Sequence, residues 1–468
     1  MRSKLLLIIL VGLVSHNLYG QVLNEQDSSD AHVLRLTSSI LTSYGEDAPY
    51  WLVSNNSGRL SATDGWGALI TAEVFKKPQA KYIDYFYGLE SQLIANTTSR
   101  ANLIQSYVGM RVGSVNLHLG MKEEMPGLND STLSIGNLVY GNNARPIPKI
   151  VFQTNDWVKS PILGEVLSFK MYVAHGWFEK NRYQSGAMLH QKSFYLRASA
   201  LKQRFQTTVG IHHSAQWAGQ NLAEETAQPI GIGNFARIFL GLSGGVDAQQ
   251  TDQLNALGNH LGSYDLSAAY DFGKFTIRNY WQFIWEDKSG LTPFNWRDGL
   301  IGLSIKTKKR KGLITNFNAE LIRTSSQDAI KFDEGVRIFE PDNFYNNSVY
   351  RSGWTHQQRI IGSPLFLILN PESTSNNKIK NVLNAINIGV GGHVNDIQYR
   401  INYLSSKNHG TLSERISPGL TLKLLAFDLA YSKGPHQFGL KGSVEWGNYP
   451  GRNAGILMSY SRSISLSN

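Results

Sequence analysis

Apolar and polar side chains alternate with a period of two along most of this chain. Between Tyr82 and Asn96 one parity carries Ile83, Tyr85, Tyr87, Leu89 and Leu93, and the other carries Asp84, Phe86, Gly88, Glu90 and Gln92. This describes a two-faced strand well beyond the usual length of about five or six residues. Trp66, Ala68, Ile70, Ala72 and Val74 form one face of the preceding strand, opposite Gly67, Thr71 and Glu73, and the connection Lys76 to Lys81 makes the two a hairpin. Ile104, Ser106, Val108, Met110 and Val112 alternate with Gln105, Tyr107, Gly109 and Arg111. After Gly113-Ser114 the pattern resumes with Val115, Leu117, Leu119 and Met121. Gly-X is what a two-residue II′ turn requires. Far downstream, Ile277, Trp281, Phe283 and Trp285 alternate with Thr276, Arg278, Tyr280 and Gln282.

Long strands with one aromatic-rich apolar face and one polar face predict an all-β chain, a transmembrane antiparallel β-barrel. Its outside meets lipid, its inside is polar, and closure pairs every backbone group. A water-soluble sandwich also alternates, but in shorter strands. Connection lengths add an orientation. Lys76–Lys81 and Gly113-Ser114 are short, whereas Tyr44–Gly65 and Lys122–Ile147 are long. With a first strand from His32 to Ser43, both short turns fall at one end, expected to be periplasmic with the N-terminus. The long loops fall at the other end, expected at the cell surface. The basic run Lys308–Lys311 lies between strand-like Leu300–Ile305 and Leu313–Leu321. It reads as a solvated turn rather than a nucleic-acid site.

The first twenty residues have a separate purpose. Arg2 and Lys4 precede the apolar run Leu5–Val14, and a small-residue stretch ends at Gly20, the layout of a secretory signal peptide cut before Gln21. That leaves 21–468 as a single barrel domain. No later window holds eighteen consecutive apolar residues, Leu365–Leu369 being among the longest runs, so no transmembrane helix is expected. Charged residues make up 17% of the chain and aromatics 11%, which excludes a disordered or coiled-coil protein. Cysteine is absent, so disulfides, Cys-ligated zinc, a thiol nucleophile and a lipidated N-terminal cysteine are all excluded. The net charge of +10 is a modest basic surplus, which favours an acidic partner through screened attraction and bidentate Arg contacts.

Several strings then coincide in order. Gly141-Asn142-Asn143-Ala144-Arg145-Pro146-Ile147-Pro148-Lys149, Ala174-His175-Gly176-Trp177, Leu189-His190-Gln191-Lys192-Ser193 and His213-Ser214-Ala215-Gln216-Trp217-Ala218-Gly219 come first. Trp285-Glu286-Asp287-Lys288-Ser289-Gly290-Leu291 with Asp298-Gly299-Leu300, Asp342–Asn347, Tyr350–Trp354 and Ile361–Leu365 follow. Together they resemble the Wzi-like capsule assembly family of outer-membrane barrels over about residues 50 to 410. The resemblance implies eighteen strands, a lumen partly plugged by loops, and a surface lectin that retains capsular or extracellular polysaccharide. Its implied surroundings are outer-membrane lipids and the barrel assembly machinery. The chain departs from the family pattern in two places. The segment Ala48–Asn56 stands where a helical N-terminal segment is expected, which argues against a periplasmic helical cap. The chain also ends Ser465–Asn468 without a terminal aromatic, leaving Tyr460 as the nearest substitute.

Asn143 and Arg145, with Pro146 and Pro148 fixing φ, suit a loop folded into the lumen, either as a plug or as a binder of sugar hydroxyls and carboxylates. Among the tryptophans, Trp296 and Trp354 lie in loop-like sequence and are the stacking candidates, whereas the others suit interfacial belts. Trp354 beside Arg351 leads, with Tyr345 and Asn346 from the same Asn- and Tyr-rich stretch. His175, His190, His213, Gln216, Trp217, Asp287 and Asp298 read as lumen-lining motif residues. His212 and His213 point to opposite faces of a strand, so they make a poor metal pair, and no metal or cofactor is expected. Glu123-Glu124 and Glu286-Asp287 diverge for the same reason, so no glycosidase dyad is expected and the protein is read as a binder rather than an enzyme. The rival reading is the same barrel with an open lumen, a channel for solutes or glycans.

Overall fold

The computed structural model describes residues 32–466 apart from 46, 81, 98, 222, 287–296, 310, 334–335 and 369–377. The segment read as a signal peptide, Asp287 and Trp296 lie outside the described residues. Eighteen strands form the wall. They are β1 Val33–Ser43, β2 Trp66–Lys76, β3 Ile83–Ala95, β4 Arg100–Val112, β5 Val115–Met121, β6 Lys149–Thr154 continued by Val158–Ser160, β7 Gly164–Trp177, β8 Met188–Ala200 and β9 Phe205–Trp217. The second half comprises β10 Asn259–Asp271, β11 Phe275–Trp285, β12 Gly299–Thr307, β13 Asn316–Arg323, β14 Leu383–Val394, β15 Ile397–Gly410, β16 Arg415–Lys433, β17 His436–Gly447 and β18 Asn453–Ser465. Each strand pairs antiparallel with its neighbours, and β1 pairs with both β2 and β18, from Val33↔Ser465 to Ser43↔Gly455, so no edge is left open. No helix among the described residues is long and apolar enough to cross a membrane.

The wall is inside out relative to a soluble protein, as the alternation predicts. Along β3 the apolar residues Ile83, Tyr85, Leu89 and Leu93 are exposed, while Phe86, Glu90 and Gln92 are buried. A closed sheet in lipid requires this, because only the inner face has protein to pack against. Ile104 is an exception. The alternation predicts that it faces outward with Val108 and Met110, but it is fully buried, because Glu90 pairs with Gln105 and Ser91 with Leu103, leaving Ile104 as the extra residue of a β-bulge. The turn at Gly113-Ser114 is as expected, with Gly113 at a φ of 56° that a side chain would disfavour.

The connections segregate by end. Residues 77–82, 113–114, 161–163, 201–204, 272–274, 308–315, 395–396 and 434–435 close one end, where β1 starts and β18 stops. The long connections 44–65, 122–148, 218–258 and 324–382 all leave the other end. The basic run sits in a short-end turn, with Lys308 on Asp271 at 2.5 Å and Lys311 on Asp396 at 2.5 Å.

The hydrophobic core lies inside the barrel, where two of the long loops supply most of it. Ile135, Leu138, Val139, Tyr140 and Ile147 from one loop pack with Phe344, Tyr345, Tyr350, Trp354 and Ile361 from another. They meet the inward wall residues Ile284, Leu300, Ile322, Leu404 and Leu424. The polar inward side chains hold the plug's backbone. Gln282 Oε1 accepts from Leu138 N at 2.7 Å, Glu320 accepts from Ser134 Oγ at 2.6 Å and Ile135 N at 2.8 Å, and Asn387 and Asn402 donate to Leu133 O at 3.0 and 3.1 Å. The polar parity of the strands therefore supplies hydrogen-bond partners for loops that would otherwise bury bare amides.

Candidate functional site

The plug is fastened to the wall by buried charge. Lys149 opens β6 directly after Pro148, and its Nζ lies 2.6 Å from Glu124 Oε2, 2.7 Å from the Tyr172 hydroxyl and 3.1 Å from that of Tyr140. On the opposite side, Asp130 takes Lys306 at 3.0 Å and the hydroxyls of Thr132 and Ser304 at 2.6 and 2.7 Å. Burial pushes both loop carboxyls up, but the neighbouring ammonium and hydrogen-bond donors outweigh it, so Glu124 and Asp130 sit well below the ordinary carboxylate range. Their folded values are depressed. The stability they contribute is therefore present above about pH 4 and lost as pH falls further, toward the folded values. Reconstituted barrels should keep a quiet baseline in planar bilayers at neutral pH and become conductive only in acid. Opening between pH 5 and 7 would contradict this assignment.

Three cavities of about 460, 360 and 370 Å³ remain inside the barrel, the first between the loop residues Trp51, Asn55 and Arg59 and the wall residues Thr71, Glu73 and Asp428. Their linings mix polar and apolar side chains, and in the second Arg197 stacks on Trp157 at 3.7 Å while Arg278 lies over Tyr280 at 5.3 Å.

The residues singled out from sequence separate into three places. Trp354 and Tyr345 are in the plug's interior. The Trp354 indole N–H donates to Val139 O at 2.8 Å, and the Tyr345 hydroxyl donates to Leu138 O at 2.5 Å. Neither ring presents an open face. Asn346 exchanges hydrogen bonds with Ile379 at 2.8 and 2.9 Å and joins two strands of loop. Asp298 is buried and accepts from the amides of Ser326 and Gln327 at 3.1 and 2.6 Å, holding the start of the longest loop. Arg351 is exposed, over the Tyr183 ring at 4.8 Å and 3.4 Å from Glu224.

The histidine group differs from expectation. Gln216 does face the lumen, donating to Gly353 O of the plug at 3.1 Å. His175, His190, His213 and Trp217 have the opposite, outward parity. They are shielded because loop 218–258 folds back over the outer wall, where Phe235 lies 5.6 Å from His175, 5.3 Å from His190 and 5.7 Å from Trp217. His212 and His213 diverge as read. His212 reaches Ser214 at 3.0 Å inside, and His213 meets His260 at 2.7 Å outside.

A basic cluster forms at the long-loop end. Arg100 clamps Asp64, at 2.7 Å through Nη1. Arg359 donates to the carbonyls of Val53 at 3.1 Å, Asn143 at 3.5 Å and Leu60. Burial lowers the Arg359 guanidinium, with Arg145 and Arg100 adding to the effect, to about 10. Arg145 is lowered by burial and by Arg100. Its half-buried guanidinium makes no hydrogen bond or ion pair with any described residue, and Nε is sealed from solvent. Asn143 positions this segment, its amide donating to Ile360 O at 3.0 Å. Sequence reading found Arg145 and Asn143 but missed Arg100, Arg359 and Asp64, whose only sequence signal is their residue type.

Closed wall, loops packed against its inner face and a basic cluster at the long-loop end define the class: an outer-membrane β-barrel with its own loops folded inside. Residues 24–366 match the family of the capsule assembly protein Wzi, and the chain belongs to that family. Among solved structures it is similar to Wzi of Escherichia coli, described as an outer-membrane protein involved in group 1 capsule assembly and a carbohydrate-binding β-barrel. Identity is 15%, coverage is 92% of this chain and 85% of that one, and the TM-score is 0.60. The shared feature at that identity is the fold. Pseudomonas aeruginosa OccK2 (OpdF) in complex with glucuronate follows at 10% identity, covering 93% of this chain and 96% of that one, with a TM-score of 0.46. No protein with a curated description matches by sequence.

Proposed function

We propose that this barrel is a surface lectin that retains acidic capsular or extracellular polysaccharide at its long-loop end, with the short-turn end and N-terminus in the periplasm. The observation that carries the reading is Arg145, a guanidinium without an acceptor among the described residues, close to two further arginines of which Arg100 is paired with Asp64 and Arg359 is held only by backbone carbonyls. A uronate or phosphate on the glycan supplies the missing acceptor through a bidentate pair. Asn143 and Asn346 hold the loops that present this surface. Arg351 with Tyr183 offers a second exposed contact, and Trp354 and Tyr345 act beneath it as packing. The loops packed inside the barrel favour retention over passage. Turnover is not part of the proposal: Glu123 and Glu124 are committed to different cations, Arg59 and Lys149. Insertion by the barrel assembly machinery belongs to the same reading.

Purified barrel immobilised in detergent should retain an acidic polysaccharide such as polygalacturonate at low salt, and a neutral glucan far less. Arg145→Ala should lower retention several-fold while the heat-modifiable gel band stays native, and Arg145→Lys should restore only part, because an ammonium cannot make the paired contact. Equal retention of acidic and neutral glycans by folded protein would defeat the proposal.

A further inference from the structure

The loop 218–258 meets the plug through Ala218, whose carbonyl accepts from the Tyr350 hydroxyl at 3.2 Å, but its helical part lies on the outer wall, and that position suggests a use of its own. It carries a nine-residue helix, α1 Ile232–Leu240, preceded by Gly231 and stopped by Gly241 at a left-handed φ of 67°, and a shorter helix at Gln250–Leu254. Parity on β8 and β9 gives the side on which it lies. Gln191 and Gln216 bond to lumen partners, so His190, Lys192, His213 and Trp217 point away from the lumen. The helix rests on that outward set. Ile238 is completely buried, Phe239 lies 5.1 Å from His190, and the Lys192 ammonium stands 4.4 Å over the Phe239 ring.

Its other side is also apolar. Ile232 is 85% exposed, Leu240 64% and Val246 98%, and Ile230 and Leu242 stand open beside them. Further along the same strands, Phe194, Val209, Ile211 and Leu266 are the exposed outward residues of the barrel wall. The apolar surface is therefore continuous from the lipid-facing wall onto the helix. A surface loop in water has no reason to display such a patch.

We propose that α1 and its flanks form a collar that docks into the interfacial layer of the lipid leaflet at the long-loop end. Its apolar edge sits among acyl chains and Lys192 and Arg237 lie at headgroup level, where anionic headgroups complement them. The inference goes beyond glycan binding, and it assigns the longest helix among the described residues to lipid rather than to the external glycan.

The chain contains no cysteine, so single labels can be placed cleanly. I232C and L240C, each carrying a fluorophore, and E224C as a water-exposed control are reconstituted as full chains into phosphatidylcholine vesicles with and without phosphatidylglycerol. Lipid-borne nitroxide should quench the Ile232 and Leu240 labels several-fold more than the Glu224 label, and aqueous iodide should show the reverse order. Quenching of all three by iodide alone would overturn the proposal. So would shielding of Ile232 and Leu240 from both quenchers, which would mean that a second copy covers the face.

Discussion

Lys149→Met is expected to cost about 3–5 kcal/mol of stability, because it strands the buried Glu124 carboxylate without its counter-charge. Lys149 bridges the plug and the wall: it answers Glu124 and Tyr140 from the loop and Tyr172 and Gln191 from β7 and β8. Removing the ammonium leaves two hydroxyls and a carboxylate converging on an apolar methyl group. The measurement is a urea titration of the barrel folded into lipid vesicles. Glu124→Gln on the same background should recover much of the loss, since a neutral amide is cheaper to bury than an unpaired charge. The double-mutant cycle should therefore show strong coupling. Additive losses from the two substitutions would mean that the ion pair does not fasten the plug.

The wall was largely legible in the sequence because lipid imposes one simple rule on every strand, and the rule survives any detail of packing. Ile83 to Leu93 alternate in the structure as they do on paper, and Ile104 departs only where a bulge inserts one residue. The loops were less legible. Trp354 and Tyr345 stand in Asn- and Gly-rich sequence that ordinarily marks a surface, yet they form the core, because their loop turns into the lumen and buries its apolar area there. His190, His213 and Trp217 show a different limit. Their motif suggests the lumen, yet they face outward, and the burial of His190 and Trp217 depends on a helix more than a dozen residues further along, a tertiary fact with no local signature. Arg145 was readable from its motif, whereas its companions Arg100 and Arg359 come from distant segments and meet it only after the loops fold.

Trp354→Ala should lose about 3–5 kcal/mol of plug packing and leave the wall's strand ladder untouched. The indole is the largest fully buried side chain among the described residues, and its N–H satisfies the Val139 carbonyl of the neighbouring plug loop, so truncation both empties a cavity and orphans an acceptor. The expected phenotype has two parts. The gel band should remain heat-modifiable, because eighteen paired strands do not depend on this residue. Steady conductance should appear in planar bilayers as the two loops come apart, and retention of acidic polysaccharide should fall with it, because the Arg145 and Arg351 loops lose their support. Trp354→Phe, which fills most of the volume but cannot donate, should lie between wild type and Trp354→Ala in both assays. Lost retention with a silent bilayer record would mean that Trp354 touches the glycan directly and that the buried position described above is not the one used in binding.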